Sequence, residues 1–455
     1  MKIKNEKNIL LSYCHPVQSV LVFMSVLVLF SCGAADENTI IDTTSSETFA
    51  TKTGAGNTYY VSPGGADSND GSIDSPWATI MHAVNKTGPG DTVMLRAGVQ
   101  NPGGEIWIQG AKGKGGAPGQ YWTLQAYSGE EAIIKNRIII DASYVRIKGI
   151  HFVNGATIDV PNWSDKGSHV EIIDNLLTGN YTNYSGAINI SGTDCLVEGN
   201  ILEMGETGTQ THGIYIMAGK SSVGGFTNSN TVVRNNIIIN PPQYGIHVYD
   251  EQKRSTDSLR HIENVTVENN FVANSGSRAG IIVAAGKKTE VQGVIIRNNV
   301  LVENADGGVV VKYGKIDDVR IYNNTIYGST GVVVGPSENI SNVKIKNNII
   351  TYNGTHIKVI SPDVSIVADN NLYWPAPAVL ENITDPDGIT GDPLFVAPPL
   401  GSVELQNGVP NVDLRLGDGS AAIDTGLNLK EVPSDKDGVS RPRGAAYDIG
   451  AYEYH

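Results

Sequence analysis

The chain has 455 residues, with 33 Lys and Arg against 47 Asp and Glu and a formal net charge of −14 at pH 7. That balance argues against nucleic acid as a partner, because phosphate binding needs a basic face. Three cysteines, 52 glycines and few long amphipathic helical patterns describe a β-rich, turn-rich chain with no disulfide framework.

In chain order, Lys2, Lys4 and Lys7 precede an apolar run from Val20 to Phe30. The run is too short to span a bilayer and reads as the core of an export signal over residues 1–31. Leu29-Phe30-Ser31-Cys32 resembles a lipoprotein signal, in which Cys32 is acylated and becomes the first residue. Residues 32–56 are Thr/Ser-rich and read as a flexible tether. Asp36-Glu37 so close to the cysteine resembles the surface-export signal of Bacteroidota-type lipoproteins. The resemblance implies a lipid anchor in the outer membrane, with the protein periplasmic or surface-exposed. Without residues 1–31 the count is 30 basic to 46 acidic residues, and Cys195 is the one thiol left unmodified.

Residues 57–455 are expected to form a single β-helix domain. Thr58-Tyr-Tyr-Val61 predicts a strand, and a short helix is expected near Ser75-Pro76, with Ile80, Ala83 and Val84 on its apolar side. This start resembles the N-terminal helical cap of right-handed parallel β-helix proteins. A ladder of self-similar units follows, aligned at Gly149, Asn175, Asn200, Asn236, Asn270, Asn299, Asn324, Asn348 and Asn371. Recurrence at this period, with two-residue apolar alternation, predicts an all-β solenoid rather than helical repeats. Each aligned asparagine is expected at a tight corner, tolerant of left-handed dihedrals and bonded to its neighbour one rung away. The end of the chain, from Gly391-Asp-Pro-Leu-Phe-Val396 to the final residues, resembles a C-terminal segment common in secreted β-helix proteins. Its Asp424, Asp435, Asp437 and Asp448 read as turn formers, with a calcium ion as the alternative and no other cofactor expected.

Three successive units carry insertions, beginning at Ala218, Asp250 and Ala285. They follow the same strand of each rung, and rungs stack about 4.8 Å apart, so they are expected to form a wall of loops beside that strand. The strand before the wall aligns as A-I-N-I-S, G-I-Y-I-M, G-I-H-V-Y, G-I-I-V-A and G-V-V-V-K. Alternation turns one column outward through Asn189, Tyr215, His247, Ile282 and Val310, and a second through Ser191, Met217, Tyr249, Ala284 and Lys312. His212 and Tyr244 precede the shared glycine and reach the same face only if the strand bends there. Residues 218–320 hold 12 Lys and Arg against 10 Asp and Glu, which points to an anionic ligand.

The fold resembles the right-handed β-helix of polysaccharide lyases, glycoside hydrolases and uronate epimerases, and that resemblance implies a carbohydrate substrate. The aligned outward columns contain no carboxylate pair for hydrolysis. The expected chemistry is β-elimination from a uronic-acid glycan, releasing a sugar or water. His247 is the candidate base, Tyr215 or Tyr249 the acid, and His212 a positioning group. Asn189, Tyr244, Lys220, Arg254 and Lys312 are candidate substrate contacts. The alternatives are a glycoside hydrolase on the same scaffold or a non-catalytic glycan-binding surface lipoprotein. The partner expected is an anionic poly- or oligosaccharide, bound by a monomer.

Overall fold

A computed structural model describes residues 56–100, 104–161, 167–181, 185–205, 211–218, 226–250, 259–328, 330–352, 354–363 and 365–455. The signal, Cys32, nearly all of the tether, Lys220 and Arg254 lie outside these residues. From Thr58 to Thr390 the described chain is a parallel β-helix, and after it Phe395–Ala397 pairs with Asp413–Leu416, and Leu405–Gln406 with Val409–Pro410, antiparallel. Three long sheets of 14, 11 and 12 strands run along it, and each coil contributes one strand to each sheet. One such coil is Leu196–Glu198, Ile201–Met204 and His212–Ile216; the next is Val232–Arg234, Ile237–Ile239 and Ile246–Val248. Equivalent strands pair in parallel, as Leu196↔Val232, Ile201↔Ile237 and Ile214↔Ile246. Inward positions are mostly Val, Ile and Leu, and they form one long core from Val61 to Tyr373. This is the near-continuous apolar content expected of parallel strands buried on their inner face.

The asparagine ladder runs inside that core. From Asn175 to Asn348, each side-chain amide donates to Oδ1 of the next asparagine at 2.9–3.0 Å, and so does each backbone N–H. Ile150 N–H donates to Asn175 at one end, and Asn371 donates to Asp385 at the other. Two details differ from expectation. The left-handed residue is the one before each ladder position, as at Asp174, Gly199, Asn235, Asn269 and Asn298. The turn uses the preceding residue so that the ladder amide itself can point inward. Gly149 is not a ladder position either. Lys148 pairs with Ile173, so Gly149 stands opposite left-handed Asp174, and it too has a positive φ of 67°.

The helix begins later than the proline suggested. It spans Ile80–Lys86, and Thr79 caps it by accepting from His82 N–H, while Asp67 receives the N–H groups of Ala78 and Thr79. This cap satisfies the first free donors better than Pro76 could, four residues upstream. Ile80, Ala83 and Val84 are buried against the first strands.

The wall is also different in kind. In their described parts the three insertions are strands: Phe226–Ser229, Arg260–Glu263 and the first half of Thr289–Arg297 pair in parallel. They widen the first sheet over those coils, because once three neighbouring rungs carry extra residues their backbones can satisfy one another. At the C-terminus, Asp435 and Asp448 accept hydrogen bonds from Val439, Glu453, Asp424 and Tyr454 N–H groups. Asp424 accepts from Ala446 N–H. Among the described residues no group of three or more His, Cys, Asp or Glu is placed to hold a metal ion. The backbone N–H groups held by Asp424, Asp435 and Asp448 are contacts that turn-forming aspartates make.

Candidate active site

The 11-stranded sheet, built from the third strand of each coil, carries the candidate site. Along its outer face, register places Asp159 beside Asn189, Asn189 beside Tyr215, Tyr215 beside His247, and His247 beside Ile282. The Tyr215 and His247 rings stack at 4.7 Å between centroids and 9° between planes. His247 also stacks on Tyr249 at 5.0 Å and 2°. One imidazole is therefore stacked with two phenols, one from the neighbouring coil and one two residues further along its own chain.

His212 and Tyr244 join the same group. His212 lies edge-on to His247 at 4.4 Å and to Tyr215 at 5.3 Å, and Tyr244 is 4.6 Å from His247. Strict alternation would have turned both into the core. The strand end bends instead: Gly186 is the partner of His212, and Gly213 N–H reaches across to Tyr244 O. A side chain at Gly213 would approach Gly245 O to 2.5 Å, so the close coil contact at that corner requires glycine.

His247 and His212 are each only 6% exposed, whereas Tyr215 and Tyr249 are half-buried. This corrects the expectation that His247 faces solvent: it points away from the core, but the surrounding rings enclose it. Burial holds the His247 imidazole well below its usual range, with the charges of His212 and Lys312 acting in the same direction. Burial also lowers His212 to about 4 and raises Tyr244 to about 12. Both imidazoles are thus neutral at physiological pH, and Nδ1 of each is buried without a hydrogen-bond partner.

Most of the nearby positive charge is already matched. Arg234 pairs with Glu198, Arg260 with Asp250, Arg278 with Asp306, Arg297 with Glu268, Lys315 with Glu290 and Arg320 with Asp318. Arg260 in particular is buried in its pair at 2.8 Å and is not a free wall cation. The basic stretch therefore presents far less open charge than a count of residues implied. Lys312 differs. It has no carboxylate within 4.0 Å among the described residues, and its ammonium lies over the rings of Tyr244 and Tyr313, at 5.6 and 5.2 Å from their centroids. Burial, and then the charge of Arg278, lowers its pKa from the ordinary 10.5.

The structure adds residues that the sequence alignment missed. Asp159 stands in the outward column as a buried carboxylate, accepting from Asn189 Nδ2 at 2.7 Å and ion-paired with Arg137. The text Gly155-Ala-Thr-Ile-Asp-Val160 shows the same alternation as Gly186-Ala-Ile-Asn-Ile190, so this strand was there to be found. Asn189 is bonded to Asp159 and to its own strand start at Gly186, which makes it a floor group rather than a free substrate contact. Arg278 and Tyr313 lie beside Tyr244 and Lys312 through turns that carry no repeat signal.

Residues 227–375 match the family described as "NosD: Periplasmic copper-binding protein (NosD)". The uncharacterized protein YwoF of Bacillus subtilis is 27% identical over 351 residues, which is 68% of this chain and 71% of that protein. Pectate lyase PEL9 of Emericella nidulans is 40% identical over 75 residues, 16% of this chain and 17% of that protein. The crystal structure of pectate lyase Pel9A superimposes with a TM-score of 0.60 at 17% identity, covering 88% of this chain and 96% of the other. Among the described residues, His212 and His247 are not joined by a third His, Cys, Asp or Glu placed to hold a metal ion. The chain is a parallel β-helix protein, with the coil architecture of Pel9A and a NosD-like central segment.

Proposed function

We propose that the protein is a carbohydrate-active lyase that performs β-elimination on a uronic-acid-containing poly- or oligosaccharide. The observation that carries this reading is His247, held neutral and stacked on two half-buried tyrosines on the outer face of the third sheet. Elimination needs a base for the proton on C5, next to the carboxylate, a cation for the developing enolate and an acid for the leaving oxygen. His247 is the base and needs no prior deprotonation near pH 7. Tyr215 or Tyr249 donates its phenolic proton to O4 as the C4–O4 bond breaks and the C4–C5 double bond forms. Lys312 binds the carboxylate. When O4 carries a sugar the product is a shorter chain and a 4,5-unsaturated uronate; when it leaves as water the enzyme is a dehydratase.

Support for a glycan substrate comes from the pectate lyase PEL9, which shares a short segment with this chain at 40% identity. An extracytoplasmic place is supported by the periplasmic description of the family matched at residues 227–375, and by the signal-like text before Cys32. In this reading the mature chain is a lipid-anchored monomer of the outer membrane.

The test is incubation with a panel of uronic-acid glycans while following the absorbance of the 4,5-unsaturated product. Appearance of that chromophore supports elimination. New reducing ends without it indicate hydrolysis, and binding without either indicates a glycan-binding protein.

A further inference from the structure

We infer that Tyr313 is the platform for a second sugar of the substrate, so that the site takes an oligosaccharide or polymer rather than a single uronate. The inference rests on the uronate reading of the ring cluster and extends it along the same face. Lys312 links the two. Its ammonium lies 5.6 Å from the Tyr244 centroid and 5.2 Å from that of Tyr313, and Tyr244 in turn is 4.6 Å from His247. A uronate whose carboxylate meets Lys312 is therefore within reach of both His247 and Tyr313. Register places Lys312 two rungs beyond Tyr249, about 10 Å along the stack, which is farther than one sugar ring reaches.

The backbone shows that Tyr313 is kept for its side chain. With Gly314 it forms a two-residue bend between strands Val309–Lys312 and Lys315–Tyr322, and φ is 62° and 59° at the two positions. Left-handed φ suits Gly, Asn or Asp and disfavours an aromatic residue. The neighbouring coil has Ala285 at this place, one past Ala284, the partner of Lys312. Two other described tyrosines have positive φ, Tyr144 and Tyr352, and each packs against a ring: His169 at 4.5 Å and Tyr327 at 4.8 Å. Tyr313 has no ring stacked on it among the described residues. The Lys312 ammonium lies over it, and 50% of the residue is exposed. A disfavoured backbone position, an open phenol and an ammonium with no carboxylate partner among the described residues thus meet at one point. An aromatic face takes the C–H side of a sugar, and the ammonium takes its carboxylate.

The test is calorimetric titration of the full chain with trigalacturonate and trimannuronate, and with galacturonate monomer for comparison. Tyr313→Asn should weaken binding of a trimer about tenfold, the worth of one aromatic contact. The monomer should bind both proteins alike. The melting temperature should hold or rise, because Asn adopts left-handed φ more readily. Tyr313→Trp should retain trimer binding. Trimer affinity unchanged in Tyr313→Asn overturns the inference, as does equal loss of monomer and trimer, or a wild-type protein that binds neither trimer. A lower melting temperature with trimer binding intact assigns Tyr313 to packing and also overturns it. Elimination of a glycan with trimer binding unaltered by Tyr313→Asn leaves the lyase reading standing alone. Tyr313-dependent trimer binding without elimination of any glycan overturns the lyase reading and leaves the platform.

Discussion

Two stacks of polar side chains run along this solenoid, one inside and one outside, and they are built to opposite rules. Inside, eight asparagines from Asn175 to Asn371 pass hydrogen bonds from coil to coil with none of the amide groups left over. Outside, Tyr215, His247 and Tyr249 stack as rings, and His247 and the neighbouring His212 keep an unpartnered buried nitrogen each. A saturated polar chain in a low-dielectric interior rigidifies the fold. An unsaturated one costs stability and is retained where a ligand or a reaction uses it. The ladder is architecture, and the ring cluster is the candidate site.

That contrast can be broken first at the ladder. Asn299→Ala removes the acceptor for Asn270 N–H and Nδ2, and the donor to Val267 O, all in the core. With about 1–3 kcal/mol for each buried group left unpaired, a loss of about 4 kcal/mol is expected in urea unfolding. Activity per folded molecule should be retained. His247→Phe does the reverse. A phenyl ring preserves the stack between Tyr215 and Tyr249, so the melt should move little, while kcat should fall about 10³-fold. Comparable losses of stability and activity in both variants would erase the distinction.

Acidity sharpens the comparison further. His212 and His247 have folded pKa values below the unfolded value near 6.5. Below that value the unfolded chain binds protons that the folded chain refuses. Stability should be full above pH 6.5 and fall as pH drops towards about 4, the value for His212. The slope is up to about 1.4 kcal/mol per pH unit for each histidine. The His247→Phe variant should show about half that slope in equilibrium unfolding between pH 6.5 and 4. An unchanged slope would mean that His247 is not neutral in the fold. The smallest effect is expected at Lys312. Lys312→Met keeps most of the packing over Tyr244 and Tyr313 but removes the charge. KM for a uronate substrate should rise about 30-fold, the equivalent of a charge-assisted hydrogen bond of about 2 kcal/mol. Carboxyl-reduced substrate should be bound equally by both proteins.

Much of this was legible in the chain itself. Nine units with β-branched alternation imply stacked coils, and residues at the same place in successive units must become neighbours about 4.8 Å apart. That alone put Tyr215 beside His247 and Tyr249 on the same face, and the coordinates bring all three into one stack. It also implied the ladder, although Gly149 was aligned one residue away from its true register. Repeat logic is weakest where the repeat is broken, at corners and insertions. There the left-handed residue is one place nearer the N-terminus than expected, and the expected wall became an extra strip of sheet.

What sequence by itself determined is neighbourhood: which side chains share a column, because period and alternation are local and set the rung spacing. What only the tertiary structure decided is environment. His247 is enclosed, Arg260 is spent on Asp250, Lys312 stands without a carboxylate among the described residues, and Asp159 enters the column. Burial and charge pairing depend on groups brought together from different coils and bent strand ends. No local pattern encodes those distances, and they set whether a histidine is a proton carrier, a base or only a ring in a stack.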